Sequence, residues 1–134
     1  MSDIQPILLV EDDQVDAMTV RRSFKKLGVL NELVVVQDGE QALDYLRHPD
    51  KGLPSIILLD INMPKMNGHE CLKQLKDHPV FKNIPVVMLT SSQERHDVDR
   101  CFELGISGYI LKPVEYEQFL EAIQVLKPYW TLRS

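Results

Sequence analysis

The sequence has few of the features that mark secreted, membrane-spanning or nucleic-acid-binding proteins. Its two cysteines show neither a pairing motif nor metal-type spacing, which indicates reduced thiols and a cytoplasmic location. Its apolar runs are far too short to cross a bilayer, and its first residues form no charged-then-apolar signal segment. The formal net charge is -5 with no long run of lysine or arginine, so neither nucleic acid nor a membrane is expected as a direct partner.

What the sequence does have is the composition of a globular protein, with 44% hydrophobic and 26% charged residues. A length of 134 residues gives room for one domain with a hydrophobic core and none for a second module. We therefore predict a single domain over residues 1–127, followed by a short aromatic tail over residues 128–134 and no output domain.

Short apolar runs alternate with amphipathic helical patterns along the chain. The predicted strands are residues 6–10, 33–36, 56–59, 85–90 and 109–111. The predicted helices are residues 14–27, 40–47, 69–78, 94–104 and 115–126. Asp13 is the expected N-cap of the first helix, and Gly28 and Gly105 are the expected stops of the first and fourth helices. This alternation predicts an α/β fold with a parallel sheet, right-handed crossovers and helices on both faces.

The candidate site residues lie at the carboxyl ends of four of the five predicted strands. Glu11 and Asp12 follow the first strand, and Asp60 follows the third, whose unbroken apolar run indicates a central position. Thr90 ends the fourth strand and Lys112 follows the fifth. Because parallel strands direct their carboxyl ends to one edge, where open α/β sheets bind ligands, we expect these five residues to converge.

These residues have the chemistry of a phosphoryl-transfer site. Three carboxylates within a few ångströms require a cation, and oxygen-only ligands favour Mg²⁺. Lys112 and the Thr90 hydroxyl would supply a positive charge and a hydrogen-bond donor to a phosphoryl group. Asp60 is the best candidate nucleophile, since a carboxylate can form an acyl phosphate, and Glu11 and Asp12 are the candidate metal ligands.

Each of these residues has a more ordinary explanation when it is taken alone. Asp60 would be a helix cap or a turn residue, and the acids after the first strand would be a solvated helix start. Thr90 would be a loop or capping residue, and Lys112 would be a surface lysine. The functional interpretation rests on their convergence, not on any single residue.

Four short motifs occur in order along the chain: Leu9-Val-Glu-Asp-Asp13, Asp60-x-x-Met-Pro64-x-x-x-Gly68, Thr90-Ser91 and Lys112-Pro113. In these motifs and their spacing the chain resembles a response-regulator receiver domain of the CheY-like kind, over nearly its whole length. The resemblance implies a (βα)5 doubly wound, flavodoxin-like fold with five parallel strands in the order 2-1-3-4-5.

The resemblance also implies a role for each matching position. Asp60 would accept a phosphoryl group from the phosphohistidine of a sensor histidine kinase or of a phosphotransfer protein. Asp12 would bind Mg²⁺ directly and Glu11 through water, and the backbone carbonyl of Asn62 would be a further ligand. Lys112 would bind the phosphoryl group. The protein would then be no enzyme acting on other substrates, since it would catalyse only its own phosphorylation and slow dephosphorylation.

A switch and its regulation follow from the same resemblance. Thr90 would move towards the phosphoryl group and let Tyr109 turn inward, so that the surface of the fourth helix, fifth strand and fifth helix changes. Asn62 and Ser92 occupy the positions that tune self-dephosphorylation. The changed surface would signal to a downstream partner protein, or the chain would relay the phosphoryl group.

Tyr129 and Trp130 in the tail allow two interpretations. They either fold back on the last helix or extend a homodimer or docking surface on the fourth-helix to fifth-helix side, and we favour the second. The tail and the Asn-x-Pro-x-x-Asn-Gly loop also resemble those of the small stand-alone regulators of bacterial phytochromes. The four histidines, His48, His69, His78 and His96, have no ligand spacing and are expected to be solvated.

Two rival classes share parts of this pattern. An aspartyl-phosphate hydrolase of the haloacid-dehalogenase kind would need a second acid two residues after the nucleophile, where this chain has Asn62. A flavin-binding flavodoxin-like domain would need a phosphate loop rich in serine, threonine and glycine after the first strand, where this chain has acids. A nucleotide-binding site is not expected, because no strand is followed by a glycine-rich turn or P-loop.

Overall fold

A computed structural model describes residues 4–61, 66–91, 95–112 and 116–126 of the chain. Strands and helices alternate through these ranges. The strands are β1 (Ile7–Val10), β2 (Leu33–Val36), β3 (Ile56–Asp60), β4 (Val86–Ser91) and β5 (Gly108–Lys112). The helices are α1 (Gln14–Lys26), α2 (Gly39–Arg47), α3 (Gly68–Asp77), α4 (Arg95–Glu103) and α5 (Tyr116–Leu126). The predicted alternation of five strands and five helices is confirmed.

The strands form one parallel sheet in the order β2-β1-β3-β4-β5, as predicted. The central strands β1 and β3 are buried along their whole length, and no residue of β3 exposes more than 2% of its surface. The edge strand β2 is half-buried throughout. Strands that are covered on both faces carry continuous aliphatic runs, which is why β1 and β3 read as unbroken apolar segments in the sequence.

Two hydrophobic clusters lie on the two faces of the sheet, because successive side chains of a strand point to opposite faces. One cluster joins alternate residues of the central strands to α2, α3 and α4. The other joins the remaining residues to α1 and α5, where the rings of Phe24 and Phe119 lie 6.0 Å apart. Among the described residues, no helix is long and apolar enough to cross a membrane.

The helix ends follow local sequence signals. The side chain of Asp13 accepts hydrogen bonds from two backbone amides of the first turn of α1, and Asp38 and Asn67 each accept one at the start of α2 and α3. Such caps each stabilise a helix by about 1 kcal/mol. Gly28 and Gly105 follow α1 and α4 with φ angles of 69° and 96°, a conformation that favours glycine.

A 3₁₀ turn at Phe81–Asn83, between α3 and β4, was not predicted from the sequence. It depends on His78, whose Nδ1 accepts hydrogen bonds from the backbone amides of Val80 (3.1 Å) and Phe81 (3.2 Å). The imidazole also stacks on the Phe81 ring, with centroids 3.7 Å apart. The expectation that His78 is a solvated residue is therefore wrong.

Cys101 and Phe102 are consecutive residues of α4 but differ in burial. Cys101 is fully buried, whereas Phe102 is 47% exposed. Its ring packs edge-on against Tyr109 of β5, with centroids 6.1 Å apart. Consecutive residues of a helix point about 100° apart, so the burial of one does not carry over to the next.

Candidate functional site

The carboxyl ends of β1 and β3 bring three carboxylates together. One carboxylate oxygen from each of Glu11, Asp12 and Asp60 lies within 4.8 Å of the other two. The two strands are neighbours, and Val10 pairs with Leu59, so the acids that follow these residues come side by side. Sequence reasoning placed these three acids at one edge of the sheet, and the structure brings them together there.

The cluster has a buried side and an open side. Glu11 and Asp60 expose only 1% and 2% of their surface, whereas Asp12 is exposed. Glu11 Oε2 accepts a hydrogen bond from the backbone amide of Asp13 at 3.1 Å. Two buried carboxylates beside a third favour a bound cation, and a donor set made only of oxygen suits a hard divalent ion. The residues present therefore fit Mg²⁺.

Backbone contacts to β4 and to the start of α3 hold the peptide of Asp60 in place. The amide of Ile61 donates to Leu89 O at 3.1 Å, and the amide of Gly68 donates to Ile61 O at 2.8 Å. A Cβ atom added to Gly68 would lie 2.5 Å from the backbone oxygen of Asp60. Only glycine allows this close approach, so the start of α3 lies directly against the Asp60 peptide.

The ends of β4 and β5 lie at the same edge of the sheet as the acidic cluster. Thr90 pairs with Leu111 and Ser91 with Lys112, and β4 in turn pairs with β3. The backbone therefore places Thr90 and Lys112 at the carboxyl ends of adjacent strands. Their side chains lie outside what the structure describes.

Tyr109 lies on β5, opposite Met88 of β4, and is 49% exposed. Its ring packs against Phe102, so the two aromatic side chains form a half-exposed pair on the α4–β5 surface. The remaining predicted site and tail residues lie outside the described residues: Asn62, Ser92, Tyr129 and Trp130.

Sequence reasoning missed a polar contact between α3 and α4. The Sγ of Cys101 lies 3.5 Å from Nδ1 of His69, which is half-buried, so the prediction that His69 is solvated is also wrong. Two residues further along α3, the pKa of Cys71 is raised from 9.0 to about 12, mainly by burial and secondly by the charge of Asp38. No periodicity or motif links residues 69 and 101, and only the topology that places α3 and α4 on one face could have suggested their contact.

The sequence profile of the response regulator receiver domain matches residues 7–124. The chain belongs to this family. As a receiver domain, it is a phosphoacceptor of two-component signalling. Members of the family take phosphoryl groups from histidine kinases and act on partner proteins.

Three similar proteins show which receiver domains this one resembles. The probable methanogenesis regulatory protein FilR2 of Methanothrix harundinacea is 39% identical over 127 residues, covering 92% of this chain and 82% of FilR2. The bacteriophytochrome response regulator RtBRR is 47% identical, with a TM-score of 0.80, and the match covers 92% of this chain and 78% of RtBRR.

The third is response regulator Rcp1 of Synechocystis sp., 34% identical over 128 residues, covering 92% of this chain and 87% of Rcp1. The Mn²⁺-bound crystal structure of Rcp1 superposes with a TM-score of 0.82 over 94% of each chain. The resemblance to phytochrome-associated regulators is confirmed by these matches, and the structural neighbours confirm the receiver fold.

Proposed function

We propose that this receiver domain is phosphorylated on the side chain of Asp60 in a Mg²⁺-dependent reaction. The observation that supports this proposal is the meeting of three carboxylate oxygens within 4.8 Å at the ends of the two central strands. Glu11, Asp12 and Asp60 would hold the ion together with the backbone carbonyl of Asn62. Mg²⁺ would supply positive charge that neutralises the acidic cluster and the phosphoryl oxygens.

The transfer is a substitution at phosphorus. A carboxylate oxygen of Asp60 forms a bond to the phosphorus of a phosphohistidine, and the bond between phosphorus and the imidazole nitrogen breaks. The electron pair of that bond stays on the nitrogen, which takes up a proton, and the product on this chain is an acyl phosphate. The phosphoryl donor is a sensor histidine kinase or a phosphotransfer protein.

The protein contributes position and charge to this step. The Gly68–Ile61 hydrogen bond and the pairing of β3 with its neighbours fix the peptide of Asp60. Lys112 would place a positive charge against the phosphoryl oxygens, and the hydroxyl of Thr90 would donate a hydrogen bond to them. The pairing of β3, β4 and β5 fixes the backbone positions of these residues before the donor docks.

Signalling is proposed to follow from a contact between the Thr90 hydroxyl and the phosphoryl group, which exists only in the phosphorylated state. A phosphoryl group carries about two negative charges and three acceptor oxygens, which the Thr90 hydroxyl would approach. The half-exposed ring of Tyr109 would then turn inward and leave its contact with Phe102. The altered α4–β5–α5 surface would be recognised by a downstream partner protein, unless the chain passes the phosphoryl group on as a relay.

We also propose that the chain catalyses no reaction beyond its own phosphorylation and slow dephosphorylation. Asn62 and Ser92 would tune the second of these reactions. The receiver domain would occupy residues 1–127, and residues 128–134 would form the tail.

A homodimer through the α4–β5–α5 face and the tail residues Tyr129 and Trp130 is part of the same proposal. The described part of this face has four large exposed hydrophobic side chains: Phe102, Tyr109, Leu111 and Val125. Exposed apolar and aromatic residues in one region favour a protein interface. Sedimentation should show a dimer that Trp130→Ala weakens, and a monomer that this substitution leaves unchanged would contradict the dimer.

The decisive experiment is the intact mass of the protein after incubation with acetyl phosphate, with and without Mg²⁺. We expect one phosphoryl adduct that requires Mg²⁺ and is absent from Asp60→Asn. Asp13→Asn is the matched control, because it also removes one negative charge near the cluster but keeps the capping oxygen that accepts from Val15 and Asp16. A wild-type adduct level in Asp60→Asn would refute the assignment of the acceptor.

A further inference from the structure

We propose that Gly39, the first residue of α2, is a positioning residue for the phosphoacceptor. It would act through the connection between β3 and α3, of which Ile61 and residues 66–68 are described. This inference rests on the proposed function, since it takes Asp60 as the residue that is phosphorylated. Gly39 lies outside the acidic cluster and outside the four motifs that identify the family.

The first observation is a close approach between two segments that are far apart in sequence. A Cβ atom added to Gly39 would lie 3.0 Å from three atoms of Met66: its Cβ, its Cγ and its backbone oxygen. Carbon atoms in favourable contact are about 3.5–4.0 Å apart. The β2–α2 turn therefore packs so closely against Met66 that a side chain at position 39 would require Met66 to shift by a few tenths of an ångström.

A second observation ties the same turn to the start of α3. Asp38 precedes Gly39, is only 4% exposed and caps α2 by accepting a hydrogen bond from the amide of Gln41 at 2.9 Å. Its charge also contributes, after burial, to the raised pKa of Cys71 in the first turn of α3. The turn formed by Asp38 and Gly39 thus lies against Met66 and near the first turn of α3.

The contact reaches Asp60 through two further residues. Met66 is followed by Asn67, whose side chain caps α3, and by Gly68, whose amide donates to Ile61 O at 2.8 Å. A Cβ atom at Gly68 would be 2.5 Å from the backbone oxygen of Asp60, so the start of α3 packs directly against that peptide. A displacement of Met66 would therefore reach the backbone of Asp60 through Asn67 and Gly68.

Helix propensity alone predicts that alanine at position 39 is harmless or stabilising, whereas a positioning role predicts that it slows phosphorylation. The φ angle of Gly39 is not positive, so alanine can adopt the same backbone conformation. If Gly39 only began the helix, Gly39→Ala would leave the protein unchanged or stabilise it by about 0.4–1 kcal/mol. If it positions the phosphoacceptor, the same change slows phosphorylation, because a misplacement of 1 Å can cost about 100-fold in rate.

The test compares Gly39→Ala with Gly108→Ala in the full chain. Gly108 is a matched control, because a Cβ atom there would meet nothing within 4 Å and its φ is not positive. The initial rate of labelling by acetyl phosphate is measured over a range of Mg²⁺ concentrations. We expect Gly39→Ala to lower the maximal rate by about tenfold while still unfolding in one cooperative transition, and Gly108→Ala to match the wild type. A wild-type rate in Gly39→Ala would overturn the proposal.

A double variant separates the Met66 contact from a general effect on α2. Replacing Met66 by glycine removes two of the three crowded atoms, so Gly39→Ala should slow labelling less in Met66→Gly than in the wild type. An equal loss of rate in both backgrounds would place the effect of Gly39 elsewhere and overturn the proposed route.

Amide NMR signals distinguish failure of this inference from failure of the proposed function. Gly39→Ala is expected to shift the backbone amide resonances of Ile61 and Gly68, and Gly108→Ala is not. If wild-type protein takes no phosphoryl group, the proposed function fails while these shifts still test the contact. Unchanged resonances in Gly39→Ala would overturn the positioning role whatever the labelling shows.

Discussion

The Sγ of Cys101 lies 3.5 Å from Nδ1 of His69, and this contact joins α4 to α3. His69 directly follows Gly68, the residue packed against the peptide of Asp60. Cys101 is fully buried, and α4 follows β4, the strand that contains Thr90. The pair therefore connects the helix next to the phosphoacceptor with the helix whose surface is proposed to change.

We expect His69→Ala to destabilise the protein by about 1–2 kcal/mol, because it removes a half-buried polar contact. The change is read as a lower midpoint of urea unfolding. A double-mutant cycle with Cys101→Ala should give a coupling energy of about 0.5 kcal/mol or more. The exposed His48 is the control, and His48→Ala should change stability by less than about 0.5 kcal/mol. Additive effects of the two substitutions would show that the contact contributes nothing.

Cys71 should make the protein less stable at alkaline pH. Burial raises the pKa of its thiol from 9.0 to about 12 in the folded state, so above pH 9 the unfolded chain loses this proton first. The folded state binds more protons there, and stability falls by up to about 1.4 kcal/mol per pH unit until the folded thiol also titrates. Below pH 9 the thiol causes no pH dependence.

The measurement is the denaturant midpoint at about pH 8 and about pH 10 for wild type and Cys71→Ala, since these values bracket the ordinary thiol pKa. The cavity left by the substitution lowers both midpoints of the variant, but its loss between the two pH values should be smaller than that of wild type. An identical pH-dependent loss in both proteins would contradict the prediction.

Mg²⁺ should raise the melting temperature of the unphosphorylated protein. A ligand that binds only the folded state stabilises it by about 2.7 kcal/mol at 100 times its Kd, which corresponds to several degrees for a chain of this size. We expect EDTA to reverse the shift and Asp12→Asn to reduce it, while Asp13→Asn keeps it. An equal shift in wild type and Asp12→Asn would mean that the ion binds elsewhere.

The 3₁₀ turn should depend on two interactions of the His78 ring: the hydrogen bonds that Nδ1 accepts and the stack on the Phe81 ring. His78→Phe can retain the stack on Phe81 but not the acceptor for the two amides, whereas His78→Ala loses both. Faster hydrogen exchange of the Val80 and Phe81 amides is expected in both variants. His78→Ala should in addition lose about 0.5–1.5 kcal/mol of stability relative to His78→Phe. Unchanged exchange in His78→Phe would show that Nδ1 is not the acceptor that holds the turn.

Local signals predicted the parts of the fold that local interactions determine. The bounds of β2 were predicted residue for residue, and the roles of Asp13 and Gly28 at the two ends of α1 are confirmed. To predict that Glu11 and Asp60 lie side by side, one further assumption was needed. Once five parallel strands are assumed, the residues after neighbouring strands must share an edge.

What the sequence did not predict depends on contacts between segments that are distant along the chain. β5 begins at Gly108 because that residue pairs with Val87, and a glycine shows no strand preference of its own. The 3₁₀ turn is a local exception, since it depends on the His78 side-chain nitrogen two and three residues away. Phe102 packs on Tyr109 of the next strand. Patterns within one segment contain no information about such partners.

The strand order also has a consequence for how the chain can fold during synthesis. β2 is placed on one side of β1 and β3 on the other, after which β4 and β5 are each added at the outer edge next to the strand made just before. Every strand after β2 therefore joins the sheet beside a strand that was made earlier. Because a domain generally folds as a unit, the three acids come together only when the whole sheet forms, together with the strands that contain Thr90 and Lys112.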